Sequence, residues 1–423
     1  MRMSKVANEA KQVKLIFNSG SDHGFNLEQI LEEMQSKFQS LAFSGGVMVL
    51  EALMNAEVAH LAGEVHERGF EAHRWGVEKG YVVLAGQKVG VKRPRLREKS
   101  KQEVRLESYT HFQRDDDRTR AVFSHLLAGM SCRKYGEAIE KAREGYGLSK
   151  SVISREMIVA TSKQLNELLE RDLTSLDVCV LVLDGICIGA SVQIVALDVE
   201  TSGKKHILGF REGATENSTV CTELLEDLIA RGLPTHRPLL VILDGAKALR
   251  AAVLKVFGEY AEIQRCQFHK KENVKEHLPK RYHAEVERRL SAAYKMTTYA
   301  DAYRALQEVV RWLSGLNESA AHSLEEGLEE TITLHRLEIP SLLRRSFSTA
   351  NLIDSAFSQG RTVMRNVKRW KNSNQIQRWA AGALLDAQGR FNKVQGYKSL
   401  AVLTTALETS MIKKKLVHVA NVA

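Results

Sequence analysis

The spacing of hydrophobic positions changes twice along this chain of 423 residues. In NLEQILEEMQSKFQSLAFSGGVMVLEALMNAEVAHLAGEVHERGFEAHRW (26–75) apolar residues recur every three to four positions, as on one helix face, and Gly45-Gly46 predicts a break between two helices. In GYVVLAGQKVGVKRPRLREKSK (80–101) β-branched residues flank Gly86, which predicts a small basic hairpin. The polar, aperiodic stretch SKQEVRLESYTHFQRDDDR reads as a linker. From Thr119 to about Leu173 helical spacing returns, and breaks at Gly129 with Ser131 and at Gly147 with Ser149 predict three helices. Ser149 caps the last one, which exposes Lys150, Ser151, Ser154 and Arg155 in its first turns, where a recognition helix meets DNA. Any capped three-helix bundle reads similarly.

The second change comes at residue 177. DVCVLVLDG, SVQIVALDVE and KHILGFRE predict three strands joined by short turns, followed by a helix from Asn217, a capping residue, to Gly232. PLLVILDG (238–245) predicts a fourth strand, AKALRAAVLKVFG a helix with Leu249, Ala252, Val253, Val256 and Phe257 on its apolar side, and AEIQRC a fifth strand. Three consecutive strands, a crossover helix, a parallel strand, a helix and a last strand follow the order of a ribonuclease-H-like domain. Residues 272–345 read as almost wholly helical, an insertion into that domain. The expected fold is therefore α+β and multidomain. Its parts are an N-terminal helical region (1–75), the basic hairpin with linker (76–110) and a helix-turn-helix-like domain (111–173). After these come the first part of an α/β core (174–268), the helical insertion (269–345), the last helices of the core (346–395) and a basic tail (396–423).

Charge adds a partner to this picture. The net formal charge of +10 is uneven, about +3 over 1–170, −3 over 171–360 and +10 over 361–423, which makes the C-terminal part a polyanion-binding candidate. Cys132, Cys179, Cys187, Cys221 and Cys266 are odd in number and scattered, so neither a disulfide framework nor a four-cysteine zinc site is indicated. The first residues lack the apolar core of a signal peptide, and no stretch approaches the roughly 18 apolar residues of a membrane span. A soluble protein of a reducing cytoplasm, with no membrane partner, is expected.

Two apolar runs end alike, on Asp184-Gly185 and on Asp244-Gly245. Either dipeptide alone reads as a turn. Together, after buried strands, they predict two carboxylates side by side at the rim of a sheet, where open α/β sheets place their ligands. Such a pair attracts hard divalent cations, and two Mg²⁺ ions roughly 4 Å apart serve phosphodiester chemistry by activating the attacking oxygen and stabilising the leaving one. A third acid is expected from FSTANLIDSAFSQGRTVMRNVKRWKN (347–372). There Asp354, Ser358, Arg361 and Arg365 share one helix face, with Ile353, Phe357 and Met364 on another. Glu325, Glu326, Glu329, Glu330 and Glu338 are rivals, but their acidic stretch reads as a solvated face.

These residues carry a resemblance to the mutator-type transposases of bacterial insertion sequences, which have a three-acid, ribonuclease-H-like core. Asp184 in VLDGI matches the first acid and Asp244 in ILDGAKALR the second. QRCQFHKKENV matches the Cys-x-x-His signature at Cys266 and His269, and STANLIDSAFSQGR the Asn-x-x-Glu motif. Asp354 stands where the family usually has glutamate, one methylene longer. The GVKRPRLR element and the AGMSCRKYGEAI and LSKSVISRE stretches extend the similarity over most of the chain.

The resemblance implies a DNA transposase that binds double-stranded DNA, both terminal inverted repeats and target, and works as a homodimer in the bacterial cytoplasm near the nucleoid. Asp184, Asp244 and Asp354 would hold two Mg²⁺ ions, with Mn²⁺ as a substitute, for strand cleavage and strand transfer. Cys266 and His269 would shape the site, since no second pair completes a zinc centre. DNA contacts are expected from Lys92, Arg93, Arg95 and Arg97, from Lys150, Ser151 and Arg155, and from Arg361, Arg365, Lys368 and Arg369, mainly through phosphates. Trp312, in the insertion, reads as a core residue or as a stacking surface for an unpaired base. Two rival readings are a structure-specific nuclease on the same fold and a catalytically impaired, transposase-derived DNA-binding protein.

Overall fold

The computed structural model describes residues 27–65, 67, 70–84, 87–113, 115–127, 145–146, 149–189, 191–213, 217–365, 367 and 369–422. The chain divides into two compact units, Met1–Ala160 and Thr161–Ala423.

In the first unit the helix Leu27–Ala62 runs unbroken through Gly45-Gly46, where two helices were expected. A glycine costs a helix interior about 1 kcal/mol relative to alanine. Beyond the pair, however, Val47, Leu50, Met54 and Val58 are buried in one cluster with Val82, Val89, Val91 and Leu96. At about 1.5–3 kcal/mol for each large apolar side chain, that burial outweighs the glycines. The helix stops at Gly63, whose φ of +71° suits glycine. His73, Arg74 and Trp75 then lie in a strand rather than in the expected helix. That strand, β1 (Ala72–Leu84), pairs antiparallel with β2 (Gln87–Glu98) from Ala72↔Glu98 to Leu84↔Gln87. The expected linker is structured as well. β3 (Glu103–Val104) adds to β2, and the helices Glu107–His111 and Asp115–Leu127 follow. Gly129, Ser131 and Gly147 lie outside the described residues. β4 (Gly145–Tyr146) also pairs with β2, and the helix Lys150–Glu170 begins directly after Ser149.

The second unit is built on a five-stranded sheet. β5 (Val178–Ile188), β6 (Ser191–Glu200) and β7 (Lys205–Gly213) are antiparallel, while β8 (Leu239–Leu243) and β9 (Ala261–Arg265) continue the sheet in parallel, giving the order β7-β6-β5-β8-β9. Asn217 caps the helix Ser218–Ala230, its side chain accepting from Val220 N at 2.9 Å. That helix and Lys247–Phe257 cover one sheet face, packing Leu224, Leu228, Leu249 and Val253 on Leu181, Leu183, Val241 and Leu243. The opposite face, with Val180, Val182, Leu240 and Ile242, packs in a core with Ile353 and Phe357 of the helix Asn351–Met364 and with Ala380 and Leu384 of Ser373–Gln388. Both faces of β5 and β8 are thus buried, which is why their sequences are continuous apolar runs.

Between β9 and Asn351 the chain is helical, with a core of its own that includes Val286, Leu290, Leu306, Val310, Leu313 and Leu324. The residues expected as a basic tail instead form the helix Leu400–Val422. Its Leu400, Leu403 and Leu407 join the sheet core, and Lys414 Nζ lies 2.7 Å from the buried Glu262 of β9.

Candidate active site

Strand register sets the first two acids side by side. The last parallel pair between β5 and β8 is Leu183↔Leu243, so the next residue on each chain is an aspartate, Asp184 and Asp244. Side chains alternate along a strand, which puts Asp184 with Val180 and Val182, on the face that carries the helix Asn351–Met364. Asp354 lies in the first turn of that helix, which packs on β5. The three acids therefore meet at one layer of the fold.

One local expectation is corrected. β5 does not end at Asp184; it continues through Gly185 to Ile188, with Asp184 opposite Val195 of β6. It is β8 that ends here, so Asp184 sits where β5 loses its parallel neighbour. Only Gly245 makes the sharp turn, at φ +107°. Asp244 Oδ1 accepts from Ala246 N at 2.8 Å, so it also turns the chain into the helix Lys247–Phe257. Asp184 Oδ1 accepts from Gly185 N at 2.9 Å.

Burial and like charge dominate the electrostatics. Asp184 is 5% exposed. Burial pushes its carboxyl up to about 7, against the pull of His269 and with the added push of Asp244 and Asp354. Asp354 is also raised, by burial, with His269 and Arg361 opposing. His269, in the first turn of the helix Gln267–Glu276, is raised to about 9 by the Cys266 sulfur and by the carboxylates of Asp184 and Asp244. Its Nδ1 is buried without a hydrogen-bond partner. An imidazolium thus faces the acids at neutral pH. Cys266 is buried just after β9, and its sulfur accepts from Ala350 N at 3.3 Å, tying the end of the sheet to the start of the third acid's helix. Among the described residues, no three His, Cys, Asp or Glu side chains converge closely enough to clasp one ion. Asp184 senses the charge of the other two acids, but its oxygen and that of Asp244 are turned to local backbone donors.

The expected DNA contacts fall into two kinds. Arg93 reaches Glu78 at 2.8 Å and Glu103 at 3.0 Å, and Arg95 reaches Glu103 at 2.9 Å. The Arg95 guanidinium holds Glu103 below the usual carboxylate range. Arg97 lies 4.4 Å over the Trp75 ring. These three cations of the hairpin are engaged within it, whereas Lys92 is exposed. Lys150, Ser151, Arg155, Arg361, Arg365 and Arg369 are exposed, and Lys368 lies outside the described residues. Trp312 is half-buried in the insertion core, with the Arg289 guanidinium 4.5 Å over its ring.

Sequence reasoning missed a buried cationic pair beside the site. Arg265, at the end of β9, reaches Glu330 at 2.9 Å, and Arg250 reaches the same carboxylate at 2.6 Å. Lys270 Nζ donates to the carbonyls of Ser323 and Glu326 at 2.6 and 2.7 Å, and burial lowers its pKa to about 8. The acidic stretch is not one solvated helix, since it breaks into Glu318–Glu325, a turn at Glu329–Ile332 and Thr333–Arg336. Glu330 is thereby spent on anchoring the insertion to the sheet. The only trace in the sequence is an arginine closing an apolar strand.

Comparison with known proteins bears on the same residues. The model of the Mutator family of transposases matches residues 26–393. The transposase for insertion sequence element IST2 of Acidithiobacillus ferrooxidans is 32% identical over 179 residues, 42% of this chain and 58% of that protein. The transposase for IS6120 of Mycolicibacterium smegmatis is 34% identical over 164 residues, 37% of this chain and 50% of its own length. The transposase for IS256 in transposon Tn4001 of Staphylococcus aureus is 24% identical over 293 residues, 66% of this chain and 73% of its own. In the first two of these relatives the matched stretch spans little more than half of the protein or less. The family match covers both strand-associated aspartates, the Cys266/His269 turn and the helix of Asp354, and the chain belongs to the Mutator family of transposases.

Proposed function

We propose that this protein is a DNA transposase whose ribonuclease-H-like core cleaves DNA strands at the terminal inverted repeats of its own element and joins them to target DNA. The observation that carries the reading is the meeting of Asp184, Asp244 and Asp354 at one layer of the fold, on two neighbouring strands and one helix, in a chain of the Mutator family.

Divalent cations fit the donor set. Three carboxylates gathered where burial, and after it like charge, raises the pKa of the most buried one form a hard-oxygen environment that cations relieve. Asp184, Asp244 and Asp354 would hold the ions once the side chains of Asp184 and Asp244 leave their local backbone donors. Bound there, Mg²⁺, or Mn²⁺ in its place, supplies activation of an attacking oxygen and stabilisation of a leaving one.

The chain's own residues do the rest. His269, held protonated, offers an N–H to a phosphate oxygen approaching the acids. Arg361 and Arg365, two and three helical turns beyond Asp354 on the same side, meet flanking phosphates. The Arg265–Glu330 and Lys270 contacts keep the insertion fixed on the sheet. Pairing of two element ends by a homodimer is part of the proposal.

The test is a Mg²⁺-dependent nicking assay with the purified protein on DNA carrying the repeats that flank its coding region and on a scrambled duplex. Nicking confined to the repeat ends is expected. Equal cutting of both duplexes would support a structure-specific nuclease, and repeat binding without any cutting an impaired DNA-binding protein.

A further inference from the structure

The first residues of Gln267–Glu276 and Asn351–Met364, the helices that carry His269 and Asp354, also line a cavity of about 600 Å³. Its wall includes Phe268, Lys295, His335, Leu342, Arg344 and Arg345, and no carboxylate lines it. Phe268 is 48% exposed, an unusual state for a phenylalanine, and its ring meets that of His269 edge-on at 5.5 Å. Phe268 thus joins the cavity wall to His269, the imidazole that faces the acids.

The cations of the wall differ in their commitments. Arg344 donates to the carbonyls of Met296 and Thr297 at 3.1 Å each, and Lys271 is paired with Glu287 at 2.7 Å. Lys295 and Arg345 are exposed, and no carboxylate among the described residues pairs with them. His335 is 4% exposed. Its Nε2 faces the Tyr294 carbonyl at 3.2 Å, so Nε2 carries the proton and Nδ1 is an acceptor. That Nδ1 is buried and has no partner.

A free aromatic face, two unpaired cations, an unpartnered buried acceptor and no opposing acid make a site for a planar, anionic ligand. The volume falls in the range of about 300–1,000 Å³ usual for small ligands, far too little for a duplex. We infer that this cavity takes one unpaired nucleotide of the DNA, its base stacked on Phe268 and its phosphate held by Lys295 and Arg345. The inference rests on the transposase reading for its source of ligand and identifies where a frayed strand lies relative to the acids. Stacking on an aromatic ring tolerates any base and contributes about 1–3 kcal/mol per base.

The experiment measures binding without metal, so that it does not depend on cleavage. The full-length protein, Phe268→Ala, Phe268→Trp and a Lys295→Ala/Arg345→Ala double variant are titrated in EDTA with a short single-stranded oligothymidylate and with a repeat-end duplex. Phe268→Ala should weaken single-strand binding about five- to a hundredfold. The double variant should weaken it too and lower the salt slope by about 0.7, the value for one single-strand phosphate. In Phe268→Trp, single-strand affinity should persist and the fluorescence of the new tryptophan, relative to the parent, should be quenched on saturation. Unchanged single-strand affinity in Phe268→Ala, or an unquenched Trp at saturation, overturns the pocket while leaving the transposase reading standing. Failure of the parent to bind either DNA overturns both.

Discussion

At the junction of β5 and β8 like charges are gathered, and on the β1–β2 hairpin opposite charges are paired. Asp184 is buried, with Asp244 and Asp354 near enough to add to the rise in its pKa. His269 and the Gly185 N–H oppose that rise, and the exposed Arg361 opposes the one at Asp354. On the hairpin, Arg93 and Arg95 lie against Glu78 and Glu103. Both regions are dense in charge along the sequence. The first keeps an electrostatic imbalance that a bound cation can relieve, while much of the second is already neutralised by its own strands. Density of charge in a sequence thus says little about what a region binds; the partner found in the fold decides.

Removing one acid should have the largest effect on that comparison. Asp184→Asn or Asp244→Asn should lower strand nicking by roughly a thousandfold or more, the scale seen when one member of a catalytic unit is lost. Repeat binding should stay within a few fold in a gel-shift titration, because phosphate contacts lie elsewhere.

A smaller effect should appear in stability. The folded-state pKa of Asp184 is raised from 3.8 to about 7, so the folded protein holds this proton more tightly than the unfolded chain. Its contribution is most favourable below about pH 4 and is lost as pH rises toward 7. Asp184→Asn should therefore melt higher than the parent at pH 8 in EDTA, by on the order of 1–2 kcal/mol, part of the gain being offset by the lost attraction to His269. The difference should shrink toward pH 4, and Mg²⁺ should narrow it at pH 8. A variant that melts lower than the parent at pH 8 would mean that the carboxylate is not in a repulsive cluster.

The smallest effect sharpens the other side. Lys92→Ala should weaken DNA binding and lower the salt slope by about 0.9, the value for one phosphate contact. Arg95→Ala should lower hairpin stability only slightly, as for exposed ion pairs, with less change in the salt slope. Equal salt slopes for the two variants would place Arg95 on the DNA as well.

What the sequence made legible follows the same physics. The strands of the second unit were readable because burial on both faces demands unbroken apolar runs, and the cap at Asn217 because it needs only its own helix. Asp184 and Asp244 were readable as a pair because strand endings mark a sheet rim, although β5 itself runs on. The unbroken helix Leu27–Ala62 was not, since its glycines are outweighed by burial against residues of a hairpin further along the chain. Nor were the engaged arginines, because Glu78 lies 15 residues from Arg93 and comes opposite it only through antiparallel register. Glu330 is 65 residues from Arg265, and nothing local announces that pair.

The central claim is that Asp354, from the helix Asn351–Met364, completes one acid site with the two strand aspartates. The measurement is Mg²⁺-dependent nicking of repeat-end DNA by the parent, Asp354→Asn and Asp354→Glu side by side. Aspartate is one methylene shorter than glutamate, a difference that a small helix shift or a bridging water accommodates, since Mg²⁺ keeps waters in its shell. The account predicts an active parent, an inactive Asn variant and a Glu variant that cuts at least as well as the parent. If Asp354→Asn cuts as well as the parent, the third acid lies elsewhere and the three-carboxylate site is wrong; if only the Glu variant cuts, the natural chain binds DNA without cutting it.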